Sequence, residues 1–161
     1  MKKTSAWLLA TVVVLGCGRN ASHQAEGAFV AGKGFDSVGG GVRVEETPPG
    51  VKVLVWLENA PPGPKSVHVY ERGDCNDLLA DSAGKAPQGT AKRHSGDLGN
   101  IKIREDGMGY LEVTTERGNL KPNDPLSFAN KAIVIHQTED KGAQPSGDSE
   151  KPVACAVIKT S

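Results

Sequence analysis

The chain has 161 residues, enough for one domain with a hydrophobic core and too few for two domains of ordinary size. Its 20 glycines and 10 prolines indicate many turns, which favours an all-β architecture. The formal net charge is zero and no basic stripe runs along the sequence, so we predict no nucleic-acid partner.

Residues 1–16 are predicted to be a lipoprotein signal peptide. Lys2 and Lys3 form a basic start, and residues 6–15 are apolar and uncharged. This apolar run is shorter than the roughly 20 residues that a spanning helix needs. Residues 14–17 (VLGC) are similar to the bacterial lipobox, in which the cysteine receives the lipid.

Processing at this motif would make Cys17 the first, lipidated residue of the mature protein. Residues 17–27 would then form the lipidated cysteine and a polar tether, and several acyl chains would hold the protein on a membrane. The resemblance implies a bacterial cell envelope, with the domain on the periplasmic face or the cell surface. The alternative is an ordinary signal peptide in which Cys17 occurs by chance.

The three cysteines fit the same compartment. If Cys17 carries lipid, Cys75 and Cys155 remain, and they are predicted to form one disulfide under oxidising conditions. Such a bond would close a loop of about 80 residues, which the chain-entropy estimate values at about 4 kcal/mol. The alternative leaves Cys75 and Cys155 as two unpaired thiols.

Apolar residues recur with a period of two through most of residues 28–161, which predicts β-strands and no helix. We expect about eight strands in this domain. The strand candidates are residues 42–45, 51–58, 66–71, 100–105, 109–115, 131–137 and 153–159. Residues 72–99 and 138–152 lack a period and are predicted loops; ordered loops of this length are usually functional.

Four histidines are the first candidates for chemistry: His23, His68, His94 and His136. His23 lies in the predicted tether and is expected to be inert. On the strand at residues 66–71, Val67 and Val69 share the face that should meet the core. His68 and Tyr70 then face outward, toward whatever loop covers the sheet.

Short motifs around these histidines, taken together, resemble the copper/zinc superoxide dismutases. His94 and Asp97 form an H-x-x-D pair, which alone has low specificity. Matching segments occur in the right order at residues 61–63, 66–75, 82–84, 94–100, 132–136 and 154–159. The resemblance covers roughly residues 36–159 and implies an all-β, eight-stranded Greek-key β-barrel or sandwich.

The resemblance also implies roles for individual residues. His68 and His136 match copper ligands, and His94 and Asp97 match zinc ligands. Tyr70 stands where the second histidine of the family's H-x-H belongs. Cys155 matches the second cysteine of the family disulfide, and Asp140 matches a carboxylate that supports the metal ligands.

Three of the family's seven metal ligands are missing. Besides the histidine replaced by Tyr70, the bridging histidine and another zinc histidine should lie between Gly84 and His94. Residues 85–93 contain no histidine. The family's substrate-guiding arginine is replaced by Pro152, with Lys151 adjacent.

These losses predict an incomplete copper/zinc site. Zinc sites usually have three or four protein ligands, and a cycling copper needs a firm, mostly imidazole shell. We therefore expect a superoxide dismutase-like envelope lipoprotein, non-catalytic or a weak binder of one metal ion, with copper or zinc partly occupied. One alternative is an active copper-dependent superoxide dismutase with a site rebuilt from His68, Tyr70 and His136. Another is a purely structural or partner-binding domain, whose protein partner the sequence does not identify.

Overall fold

The computed structural model describes residues 23–76, 96–141 and 151–160. Cys17 and His94 lie outside the described residues. Within these residues the regular structure is all β, and no helix has the length and hydropathy to cross a membrane. The strands are β1 (Gln24–Ala28), β2 (Val30–Ala31), β3 (Gly39–Thr47), β4 (Gly50–Glu58), β5 (Gly63–Tyr70), β6 (Asp97–Ile103), β7 (Gly109–Thr115), β8 (Ala132–His136), β9 (Pro152–Val157) and β10 (Lys159–Thr160).

The strands form one antiparallel sheet in the order β10-β1-β3-β4-β7-β6-β5-β8-β9-β2. Phe29 alone separates β1 from β2, and Ile158 alone separates β9 from β10. Since β1 pairs with β10 and β2 with β9, the sheet closes on itself as a barrel. With each of these two pairs of segments counted as one strand, the described chain has eight strands. Strand β4 pairs with β7 and not with β5, which gives Greek-key connectivity. The predicted fold is confirmed.

The alternating sequence of β4 shows why these segments form half-buried strands. Val51, Val53, Val55 and Leu57 are fully buried, while Trp56 between them is partly exposed. The barrel core combines such inward residues from every side of the sheet. Its largest fully buried apolar side chains include Phe128, Leu57, Ile101, Ile133, Ile135 and Ile158.

The first strand begins earlier than the sequence indicated. Gln24 starts β1 inside the stretch 17–27 that was predicted to be tether, because Ala25 is fully buried and pairs with Val44 of β3. His23 also has a partner, since its Nδ1 lies 2.9 Å from Oε2 of Glu46. The backbone N–H of Leu120 donates to the same carboxylate, and this bond is the main reason that the pKa of Glu46 is lowered.

Strand β6 also differs from the prediction, because it runs from Asp97 to Ile103 and not from residue 100 to residue 105. Its end is set by a turn at Asp106-Gly107. The backbone N–H of Gly107 donates to the carbonyl of Arg104 at 3.0 Å, and Gly107 adopts a positive φ of 79°. Its earlier start brings Asp97 into the sheet, which matters for the site described below.

A disulfide joins Cys75 to Cys155, as predicted, with the two Cα atoms 5.8 Å apart. It ties the segment after β5 to β9, next to the buried side chain of Tyr70. Gly73 allows this approach, because a Cβ at this position would collide with the backbone of Asn130.

We expect Cys75→Ser to lower the free energy of unfolding by about 4 kcal/mol under oxidising conditions, because the bond closes a separation of 80 residues. Urea denaturation with and without reductant measures the effect. The reduced wild type should unfold at nearly the same urea concentration as the variant. Identical midpoints for oxidised and reduced wild type would contradict a stabilising disulfide.

Candidate metal centre

The pleat of β5 sorts its side chains onto two faces of the barrel wall. Val67 and Val69 are fully buried in the core, as the alternation predicted. His68 and Tyr70 lie on the opposite face, yet they are only 4% and 7% exposed. The prediction that they turn away from the core is confirmed, and they are covered by other parts of the protein.

Strand β8 adds His136 to this outer face. Val134 pairs with His68 across the strands, and His136 follows two residues later on the same side. The side chain of His136 is 1% exposed. Its Nε2 lies 3.0 Å from the hydroxyl oxygen of Tyr70, so the phenol and the imidazole share a hydrogen bond inside the protein.

The two predicted copper-type histidines lie side by side. The ring centroids of His68 and His136 are 5.5 Å apart, with an angle of 67° between the ring planes. The ring of Tyr70 is 5.9 Å from that of His136. The structure therefore gathers two imidazoles and one phenol into a single buried site.

A β-bulge brings Asp97 to His68. Val67 pairs with Gly99, but His68 pairs with Asp97, so β6 has one extra residue at this point. Gly99 adopts a positive φ of 91°, a conformation that glycine allows without steric cost. As a result Oδ1 of Asp97 lies 2.9 Å from Nδ1 of His68, and the side chain of Asp97 is only 2% exposed.

Asp140 reaches the same place from the segment after β8. Asn100 accepts a hydrogen bond from the backbone N–H of Asp140 at 2.9 Å and donates one to its carbonyl at 3.0 Å. One ligand atom each from His68, Asp97 and Asp140 then lie within 4.8 Å of one another. Among the described residues this is a group that could hold a metal ion.

Five of the predicted site residues thus meet on one face: His68, Tyr70, Asp97, His136 and Asp140. That each binds metal remains a prediction, and His94 falls outside the described residues. Asn100 was missed as a positioning residue, although it ends the segment 94–100 that carried the resemblance. The available signal was its side chain, which can both donate and accept.

Comparison with known proteins identifies the family. Residues 38–158 match the family model described as copper/zinc superoxide dismutase (SODC). The chain belongs to the copper/zinc superoxide dismutase family.

Bacterial members of the family align over most of the chain. "Superoxide dismutase [Cu-Zn] 2" of Salmonella typhimurium is 31% identical, covering 99% of this chain and 100% of the relative. A protein of the same name from Aquifex aeolicus is 27% identical with the same coverage. "Superoxide dismutase [Cu-Zn]" of Deinococcus radiodurans is 28% identical over 70% of this chain and 72% of the relative. Membership of this family implies binding of copper and zinc.

The donors on this face fit copper and zinc unequally. The copper-type positions offer two imidazoles, and Nε2 of His136 already has Tyr70 as a hydrogen-bond partner. Among the described residues, this set has fewer imidazoles than the shell that a cycling copper needs. The cluster of His68, Asp97 and Asp140 offers one nitrogen and carboxylate oxygens, a donor set suited to zinc.

We expect Tyr70→Phe to lower the free energy of unfolding of the chelator-treated protein by about 1 kcal/mol, because it removes a buried hydrogen bond to His136. Tyr110→Phe is the matched control. Tyr110 is 61% exposed and its hydroxyl bonds Glu112 at the surface, so its loss should cost less than about 0.5 kcal/mol. Equal stability of the two variants in urea denaturation would show that the buried bond contributes nothing.

Proposed function

We propose that this protein is a lipid-anchored, superoxide dismutase-like protein of the bacterial cell envelope that does not catalyse dismutation. It holds at most one metal ion, weakly. The observation that supports the proposal is the buried hydrogen bond between Tyr70 and His136, because the family resemblance predicts a copper-binding imidazole at the position of Tyr70.

The chemistry of the phenol supports a non-catalytic site. A tyrosine with an ordinary pKa near 10 is neutral at physiological pH, and a neutral phenol is a poor ligand. A copper ion bound here would have to displace the hydrogen bond at Nε2 of His136 and force Tyr70 to ionise. Both costs weaken binding relative to a shell of imidazoles.

Two further losses from the sequence point the same way. Residues 85–93 contain no histidine, so the bridging imidazole and one zinc ligand are missing. Pro152 begins β9 at the position of the substrate-guiding arginine. The neighbouring Lys151 places its ammonium 4.8 Å from the centroid of the Phe35 ring, where it makes a cation–π contact. An approaching anion therefore lacks the positive anchor that the family uses.

The second candidate is an active copper-dependent dismutase with a remodelled site, converting superoxide to oxygen and hydrogen peroxide. One distance favours it: Oη of Tyr70 and Nε2 of His136 are 3.0 Å apart, close to the spacing of two ligands on one ion. The relatives from Salmonella, Aquifex and Deinococcus are named superoxide dismutases.

We expect copper- and zinc-loaded protein, freed of excess metal, to retain less than one copper per chain. It should consume superoxide no faster than the same amount of free copper. The Salmonella relative, loaded in the same way, is the positive control.

Tyr70→His should raise copper affinity at least tenfold, because it returns an imidazole to the site. One firmly bound copper per wild-type chain, with dismutation at the relative's rate, would establish the second candidate.

The envelope location rests on the leader and the cysteines. Residues 14–17 resemble a lipobox, and the bond between Cys75 and Cys155 suits an oxidising compartment. A lipid on Cys17 would keep the barrel near a membrane surface.

We expect the wild-type protein to incorporate labelled palmitate and to sediment with membranes when it is expressed in a bacterium. Cys17→Ser should lose the label and appear in the soluble envelope fraction, because the acyl chains supply the membrane affinity. Cys75→Ser is the matched control and should keep the label. A soluble, unlabelled wild type would exclude lipidation.

A further inference from the structure

We infer that His68, Asp97 and Asp140 form a three-ligand site for one zinc-type divalent cation, separate from the Tyr70–His136 pair. The inference rests in part on the proposed function, because it says where the single metal ion would bind. By the family resemblance, its three ligands have different roles. His68 is a copper-type histidine, Asp97 a zinc-type aspartate and Asp140 a supporting carboxylate.

Distances support the site. Zinc lies about 2.0–2.2 Å from nitrogen and oxygen ligands, so two ligands of one ion are about 3–3.5 Å apart. Nδ1 of His68 and Oδ1 of Asp97 are 2.9 Å apart. One ligand atom of Asp140 lies within 4.8 Å of one ligand atom each of His68 and Asp97. Asp140 would have to move closer to complete the set, and the cation would replace the hydrogen bond between His68 and Asp97.

Burial and charge support it independently. The side chains of His68 and Asp97 are 5% and 2% exposed, and Asp140 is half-buried. Two carboxylates brought together in such a place repel each other. A divalent cation would balance the charge of both carboxylates.

The backbone positions both carboxylates. The bulge at Gly99 turns Asp97 to the same face as Asn100; in a regular strand, residues three apart would lie on opposite faces. Asn100 then holds Asp140 by its backbone N–H and carbonyl and not by its carboxylate. Asp140→Asn therefore keeps both backbone bonds to Asn100 and removes one charge from the cluster.

The donor set also disfavours copper(I). One imidazole and two carboxylates suit zinc, whereas copper(I) prefers soft sulfur ligands. The nearby cysteines offer no thiolate, since Cys75 and Cys155 are joined. Copper(II) binds most nitrogen and oxygen sites more tightly than zinc, so the test uses zinc alone.

The test measures zinc affinity of the full chain by competition with a chromophoric chelator, in wild type and four variants. We expect one zinc per chain, weakened at least tenfold by Asp97→Asn and by Asp140→Asn. Glu139→Gln is the matched control, since this exposed neighbour carries the same charge outside the cluster, and it should change affinity less than threefold. His136→Gln should also change affinity less than threefold. Zinc-edge X-ray absorption should show a nitrogen and oxygen shell with a single imidazole.

Several outcomes would overturn the site. Absence of stoichiometric zinc binding would do so. Equal effects of Asp140→Asn and Glu139→Gln would also do so, because they would indicate that zinc is attracted by the general negative charge and not by a defined site. A larger loss with His136→Gln than with Asp140→Asn would place the ion at the copper-type position. If Asp97→Asn unfolds, Asp140→Asn still tests the site, because the two bonds between residue 140 and Asn100 do not use the carboxylate. The measurement needs neither copper nor superoxide, so its failure is distinguishable from failure of the non-catalytic proposal.

Discussion

The two-residue period of β5 is the constraint on which the metal centre depends. Val67 and Val69 must enter the core, so His68 and Tyr70, which alternate with them, must leave it. His68 and Tyr70 are thereby held on a rigid barrel wall, with their backbones fixed by pairing to β6 and β8. A loop could not hold these polar groups with the same precision. Because the site is buried, a polar group that is imperfectly hydrogen-bonded there costs more free energy than it would at the surface.

On that wall, Tyr70 puts a phenol where the family resemblance predicts an imidazole. The hydroxyl of Tyr70 reaches His136 and forms a bond within the protein. This bond stabilises the hydroxyl group of Tyr70, which would otherwise be costly to bury. It also makes the hydroxyl group and Nε2 of His136 less available to copper. The same barrel can therefore support a dismutase in one relative and, as we propose, a non-catalytic protein here.

The cluster of His68, Asp97 and Asp140 is assembled in a different way. Asp97 and Asp140 converge on His68 from two separate segments, and Asn100 joins those segments through the backbone. Such an arrangement assembles oxygen ligands around one imidazole, which favours a divalent cation with no redox role. A protein that lost its copper cycle could keep a metal ion on these terms as a structural or carrier element.

The sequence by itself determined the all-β class, the inward residues of β4 and β5, the pairing of Cys75 with Cys155 and the family. These follow from local periodicity and from short motifs, which are properties of neighbouring residues. Only the tertiary structure decided that β1 starts at Gln24 and that a bulge turns Asp97 toward His68. It also decided that Tyr70 meets His136 across 66 positions. Strand register, bulges and contacts between distant segments are set by the packing of the whole sheet, and alternation along one strand carries no information about them.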